Sequence, residues 1–180
     1  ILIFSFTHTT AMFEILHYDM MSLNDNNFEN TLIDVTADRL KNLVHRHSLL
    51  LHTVAKLQNI YSFAIGVDFG LYAIITCLFF VLPIDVCFNF SAVIAYSLSV
   101  FFAHCYLGQR LTTATEKFEN AIYFCGWTNF NLREQKIIFL MLKQSQKPVV
   151  LLAADIVPIC INTFAQTMQA IYKFVTVVKL

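Results

Sequence analysis

Four stretches of this chain carry almost no formal charge, and the Lys and Arg residues between them fall almost entirely on one side. Residues 69–84 and 86–107 contain no Asp, Glu, Lys or Arg, and residues 148–172 contain only Asp155. Residues 1–13 read as the tail of another such segment. A helix needs about 20 apolar residues to cross about 30 Å of hydrocarbon; residues 60–82 and 87–107 supply them. Charged residues make up 13% of the chain, against about 25% in soluble domains. The solvent of such a chain is a bilayer. Its fold class is all-α: a multi-span transmembrane helical protein whose helices extend into a cytosolic bundle.

Basic residues orient it. Arg39, Lys41, Arg46 and Lys56 precede the first full span, and Arg110, Lys117, Arg133, Lys136, Lys143 and Lys147 lie between the second and the third. Residues 83–86 have none, and the tail has Lys173 and Lys179, so ten of the twelve basic residues share one side. The positive-inside rule makes that side cytoplasmic, which sends the 83–86 turn and the carboxy terminus outward.

The resulting organisation is a truncated transmembrane helix over 1–23, a cytoplasmic loop over 24–36 and a long cytosolic-plus-transmembrane helix over 37–82. A short extracellular turn at 83–86, a transmembrane helix over 87–107, a cytosolic helical anchor region over 108–147 and a last transmembrane helix over 148–180 follow. Pro83 is expected to stop the first full span and Gly108 to end the second. Pro148 suits the first turn of the last, where a missing N–H costs nothing. The start inside an apolar run, without Met, reads as the carboxy-terminal part of a longer protein.

Residues 37–65 lack Gly and Pro, and Leu40, Leu43, Val44, His47, Leu51, Val54, Leu57 and Tyr61 recur at helical spacing,. Asp34 or Thr36 is available as a cap. Unbroken from residue 37 to 82, this helix would measure about 69 Å at 1.5 Å per residue, so about half of it must leave the membrane. Leu111, Ala114, Phe118, Ile122 and Cys125 form a second apolar stripe, and Ile137, Leu140, Met141 and Gln144 a weaker third. The residues 24–30 read as a solvated loop.

Several function classes drop out. A formal net charge of zero gives no electrostatic handle for nucleic acid,. There is no Gly-rich phosphate loop, no HExxH and no nucleophile elbow, so neither an enzyme nor a cofactor is indicated. His45, His47 and His52 cannot converge on one ion from a helix and are expected on a solvated cytosolic face. Five cysteines show no metal-ligand spacing,; free thiols packed as small apolar groups are expected, with a Cys77–Cys87 disulfide as the alternative. Asp68 lies within Gly66-x-x-x-Gly70, a spacing that lets helices approach closely, and reads as a packing site. For Asp155 a hydrogen-bonded packing role stands beside cation attraction in an internal vestibule.

Ala121-Ile122-Tyr123, Trp127, Ile138-Phe139-Leu140-Met141, Ser145-Gln146-Lys147-Pro148, Ala153-Ala154, Pro158, Thr163-Phe164, Tyr172 and Thr176 follow in order. This series resembles the carboxy-terminal signature of insect odorant receptors. His47 leading into Ile60-Tyr61-Ser62, and Tyr106-Leu107-Gly108, also match. Two departures stand out: Ala154-Asp155, where family members often have a small residue followed by Gly, and Lys173, where many have Ser.

The resemblance implies an odour-tuning subunit of a ligand-gated cation channel in the plasma membrane of sensory neurons. It would assemble with a shared co-receptor as a hetero-tetramer, its external contacts being membrane lipid and a small apolar volatile ligand. Cytoplasmic helices, with Tyr123 and Trp127 as subunit anchor, would hold the subunits together. Thr176 and Leu180, with Lys179 adjacent, match the narrow part of a pore lined by the last helix. Phe88, Phe90, Ile94, Tyr96 and Ser97 are the candidate odorant-binding residues, aromatic walls with a hydroxyl to orient a polar group. A gustatory receptor or a G-protein-coupled chemoreceptor is the alternative, the latter with the opposite orientation; a transporter would call for an internal repeat.

Overall fold

The computed structural model describes residues 2–25, 33–81, 84–147 and 149–178. Five α-helices dominate: α1 (Leu2–Asp25), α2 (Ile33–Val81), α3 (Ile84–Phe124), α4 (Leu132–Ser145) and α5 (Ile161–Val178). A 3-10 turn, Trp127–Asn129, precedes α4, and two short strands, β1 (Leu152–Ala153) and β2 (Val157–Pro158), precede α5. Two helices among the described residues are long and apolar enough to cross a membrane, over Ala37–Phe80 and Phe88–Phe124. Each is about twice the length a crossing requires, and the charge-poor parts are those within 60–82 and 87–107. The protein is an all-helical membrane protein. Its contacts fall into two units, Ile1–Lys56 with Arg110–Val149, and Leu57–Gln109 with Val150–Leu180.

In the first unit, the α2 stripe is buried at Leu40, Leu43, His47 and Val54; Val44 and Leu51 are half-buried, and Leu50, outside the stripe, is buried in place of Leu51. The stripe shares a core with Phe6, Phe13, Leu16, Met20 and Leu23 of α1 and with Leu111, Ala114, Phe118, Ile122 and Cys125 of α3. Every residue of the second sequence stripe is therefore inside. The Phe118 ring lies 5.0 Å from His47 and 6.4 Å from Phe13. His47 is 3% exposed, so it is a core residue, not part of a solvated face; His45 and His52 are exposed. Its place on the apolar stripe decided this over its polarity, and burial lowers its pKa from 6.5 to about 4,. At the rim, Arg46 pairs with Asp19 at 2.7 Å and Arg110 with Glu14 at 3.4 Å.

Several boundaries differ from the sequence expectation; residues 84–86, expected in a turn, open α3 instead. Helix α2 begins at Ile33, so Asp34 and Thr36 lie inside it and do not cap it. Helix α3 passes through Gly108 without a break. A Cβ there would run into the Ile159 carbonyl oxygen, with the Ile159 side chain 2.8 Å away; this glycine serves packing, not termination. Gly126, at φ 70°, follows the end of α3 in the left-handed conformation helices use to stop,. Pro148 does not open the last helix, which starts at Ile161; Pro83 and Pro148 themselves lie outside the described residues, as do residues 26–32.

Helix α4 is rotated from its expected register. Asn131 and Glu134 form a reciprocal capping box, with the Asn131 N–H donating to Glu134 Oε2 at 3.1 Å,. Glu134, Ile138 and Met141 face inward. Ile137 and Leu140 are exposed at 39% and 64%, and Gln144 is exposed as well, so of the third stripe only Met141 is inside.

In the second unit, Phe101 of α3 is the hub. Phe69 packs edge-on against it at 4.7 Å, and Phe164 of α5 lies 5.2 Å away. Phe164 also meets Phe102 at 5.5 Å. Ile65, Thr76, Ile94, Cys105, Ile159 and Ile171 are buried in the same unit.

Candidate functional site

Two arrangements in the second unit concentrate polar chemistry against an apolar background. The first is the antiparallel pair of β1 and β2, with Leu152 opposite Pro158 and Ala153 opposite Val157. Its turn is closed by the Ile156 N–H donating to the Ala153 carbonyl at 3.1 Å. Ala154 and Asp155 occupy the two central positions with φ of 50° and 57°. Positive φ at both positions is the signature of a type I′ turn, which favours Asn-Gly or Gly-Gly. Ala has no side-chain bond to offset that conformation; Asp is more tolerant of it.

Helix α2 holds this strained turn with three residues spaced by four. Gln58 pairs with Leu152 in both directions: Leu152 N–H donates to Gln58 Oε1 at 2.9 Å, and Gln58 Nε2 donates to the Leu152 carbonyl at 2.9 Å. Gln58 Nε2 also donates to Asp155 Oδ1 at 2.6 Å. The Ser62 carbonyl accepts from Ala154 N–H at 2.8 Å. The Ser62 hydroxyl donates to Asp155 Oδ1 at 2.8 Å and accepts from Asp155 N–H at 2.9 Å. Gly66 completes the cradle, since a Cβ there would lie 2.6 Å from Ala154 Cβ. Gly70 has nothing within 4 Å of such an atom. The Gly-x-x-x-Gly spacing thus admits a turn at one glycine and nothing at the other. Asp155 is a hydrogen-bonded acid, and Ala154-Asp155, noted above as a departure from the family resemblance, falls on the two positive-φ positions.

The second arrangement is α5. Thr163 Oγ1 donates to the Pro158 carbonyl at 2.6 Å, tying the helix to the hairpin. Asn162, Gln166, Gln169, Lys173 and Thr176 then recur at intervals of four and three, and all five are exposed. That is one polar face on the helix; Thr163 and Thr167 lie off it, their hydroxyls donating to the Pro158 and Thr163 carbonyls. Thr176 belongs to it; Lys179 and Leu180 lie outside the described residues. Asn162, Gln166 and Gln169 were not among the sequence candidates, although their spacing alone would have disclosed them.

The candidate odorant residues on α3 divide. Ile94 and Ser97 are buried at 8% and 4% exposure, whereas Phe88, Phe90 and Tyr96 are exposed. The Ser97 hydroxyl and His104 Nδ1 are buried without a hydrogen-bond partner among the described residues. Asp68, half-buried, is an electrostatic neighbour of both His104 and Tyr72.

In the first unit, Trp127, Leu132, Gln135, Lys136, Phe139 and Leu140 line an apolar cavity of about 410 Å³. Tyr123 is exposed and packs edge-on against Phe124 at 5.1 Å. Cys125 is fully buried and its thiol pKa is raised by that burial. Cys77, Cys105, Cys125 and Cys160 are free thiols; the Cys87 side chain lies outside the described residues. No group of three or more His, Cys, Asp or Glu that could hold a metal occurs among the residues described.

Long helices, two of them apolar enough to span, and a final helix with one polar face describe an all-helical membrane protein. Residues 1–172 match the family model for the 7tm odorant receptors, and the chain belongs to that family. It is 22% identical over 174 residues to putative odorant receptor 69a, isoform A, of Drosophila melanogaster, covering 91% of this chain and 42% of that protein. To odorant receptor 67a of the same organism it is 26% identical over 147 residues, covering 78% and 36%. To putative odorant receptor 85d it is 35% identical over 66 residues, covering 37% and 16%. The chain thus spans about two-fifths or less of the length of these relatives.

Proposed function

We propose that this chain is the part of an odour-tuning receptor subunit that contributes to an odorant pocket, a subunit anchor and a pore wall. With a co-receptor it forms a ligand-gated cation channel, in the plasma membrane of sensory neurons, with its carboxy terminus outside. The observation that carries this reading is the polar face of α5: Asn162, Gln166, Gln169, Lys173 and Thr176, all exposed. Polar groups at membrane depth are costly unless they face protein or water, and a row of five at helical spacing suits the wall of an aqueous path.

Odorant binding is placed on α3. The unpartnered Ser97 hydroxyl beside Ile94 offers one directional bond within an apolar lining, the combination that orients a small, largely apolar ligand,. The exposed Phe88, Phe90 and Tyr96 are available to line the remainder. A volatile molecule opens the channel by its differential affinity for the open arrangement. No catalytic step or cofactor is involved. Trp127 and Tyr123 present apolar surface for the anchor with neighbouring subunits.

The test is substituted-cysteine accessibility in the full-length receptor, co-expressed with a co-receptor and stimulated with a panel of volatile esters, ketones and alcohols. Gln166→Cys and Gln169→Cys are expected to make the evoked current sensitive to a charged thiol reagent, and Ala165→Cys to leave it insensitive. Equal sensitivity at all three positions would remove α5 from the pore. An epitope at the carboxy terminus is expected to stain on unpermeabilised cells; staining only after permeabilisation would favour a G-protein-coupled chemoreceptor.

A further inference from the structure

Resting on the channel reading above, we propose that Gln58, Ser62 and Asp155 are positioning residues that latch the 152–158 hairpin in the channel's resting state. Release of the latch then biases α5 toward conduction. The hairpin carries two opposed features. Ala154 and Asp155 both hold positive φ, a conformation that L side chains adopt only when their surroundings impose it. Six hydrogen bonds from Gln58 and Ser62 impose it here, reaching Leu152, Ala154 and Asp155. Such an element is poised: strain favours leaving the turn, and bonds from a single helix face oppose departure.

Any displacement has a direct route to α5. Residues 158 and 163 are joined by the Thr163 hydroxyl on the Pro158 carbonyl. Ile159 lies against Gly108 so closely that no Cβ would fit. Phe164 sits on Phe101 and Phe102. The hairpin therefore cannot shift without moving the first turn of α5 or repacking that aromatic contact. Asp155 is the pivotal residue, since its Oδ1 gathers bonds from both Gln58 and Ser62 while its backbone N–H returns one to Ser62. A glycine would fit the backbone equally well but would leave Ser62 Oγ and Gln58 Nε2 without that carboxylate.

The test uses the full-length receptor with four substitutions: Asp155→Ala, Ser62→Ala, Asp155→Asn and Ser62→Thr. Amide hydrogen exchange of the 150–160 peptide in the purified receptor reads the latch itself. Exchange should accelerate about tenfold in the two Ala variants, as loss of one or two hydrogen bonds implies, and stay near the unmodified rate in Asp155→Asn and Ser62→Thr, which keep the bonding groups. Current in cells with co-receptor reads its consequence. The Ala variants should raise ligand-independent current and lower the half-maximal concentration for the most effective ester, ketone or alcohol by about tenfold, the same bias expressed as a population shift.

Unchanged exchange in the Ala variants overturns the latch. Faster exchange with unaltered currents, in a receptor that responds to odorant, overturns its coupling to α5. An Asp155→Asn variant matching Asp155→Ala overturns it as well, because the role would then belong to charge. Silence of the unmodified receptor despite surface expression would instead refute the channel reading, with the exchange measurement still deciding whether the latch exists.

Discussion

Gly66→Ala tests the cradle under the hairpin by adding one carbon where the structure leaves no room. On helix propensity alone the change should stabilise by about 1 kcal/mol. The new Cβ, however, would lie 2.6 Å from Ala154 Cβ, 3.0 Å from Ala154 N and 3.2 Å from Ala154 Cα. Ordinary carbon contacts are about 3.5–4.0 Å, so the turn must retreat by about 1 Å. That carries the Ala154 N–H beyond good bonding distance of the Ser62 carbonyl, now 2.8 Å, and stretches the Asp155–Ser62 pair. Two bonds at about 0.5–1.5 kcal/mol each, with overpacking costs of about 1–3 kcal/mol, outweigh the helix gain. The net loss is about 1–5 kcal/mol. Gly70→Ala is the matched control, since nothing stands within 4 Å of its added carbon; it should be neutral or slightly stabilising. Ala154→Gly removes the nearest obstacle and relieves a positive φ, so the double variant should recover most of the loss, a coupling of about 1 kcal/mol or more. The assay is the melting midpoint of the detergent-purified full-length receptor by size-exclusion chromatography, where about 2–4 °C accompanies each kcal/mol. Gly66→Ala as stable as Gly70→Ala, or no recovery in the double variant, would refute the cradle.

Lys173 places a fixed positive charge on the polar face of α5, which on the proposed pore reading would repel permeating cations; Lys173→Ser should raise single-channel conductance, measured in excised patches. Trp127→Ala combined with Phe139→Ala strips two walls from the 410 Å³ apolar cavity; co-precipitation with the co-receptor should fall several-fold while monomer yield holds. His47 is buried neutral, with its folded pKa lowered from 6.5 to about 4. Its contribution is therefore complete above pH 6.5 and is lost as pH falls toward 4, by at most about 3 kcal/mol. The melting midpoint should decline over that interval in the unmodified receptor and decline less in His47→Phe.

What was legible in the sequence was local. Leu40, Leu43, His47 and Val54 of α2 and the α3 stripe from Leu111 to Cys125 follow from spacing of three and four, because a helix converts that period directly into a face; Leu50 is buried where the spacing pointed to Leu51. The hairpin was not legible for the opposite reason. Residues 148–160 are nearly uncharged, and an uncharged run reads as more helix whatever its backbone does; strands of two residues have no alternation to betray them. Their stability comes from Gln58 and Ser62, more than ninety residues away along the chain, a distance over which periodicity carries no information. The one clue was the departure at Ala154-Asp155. A family position that takes glycine marks a backbone needing positive φ, and an acid there implies a bonding partner elsewhere. Gly108 gave the reverse error, since a glycine inside a helix signals either a stop or a close neighbour, and only the contact with Ile159 decides between them. On α5 the polar face is present in the sequence: Asn162, Gln166 and Gln169 continue Lys173 and Thr176 one turn at a time. A row of that kind costs free energy in lipid and is recovered only against water or protein. The hairpin and the polar face are thus neighbours for a reason. On the proposed channel reading, a helix that holds one face toward a polar path needs its first turn fixed, and Thr163 ties that turn to the hairpin that Gln58 and Ser62 hold at Asp155.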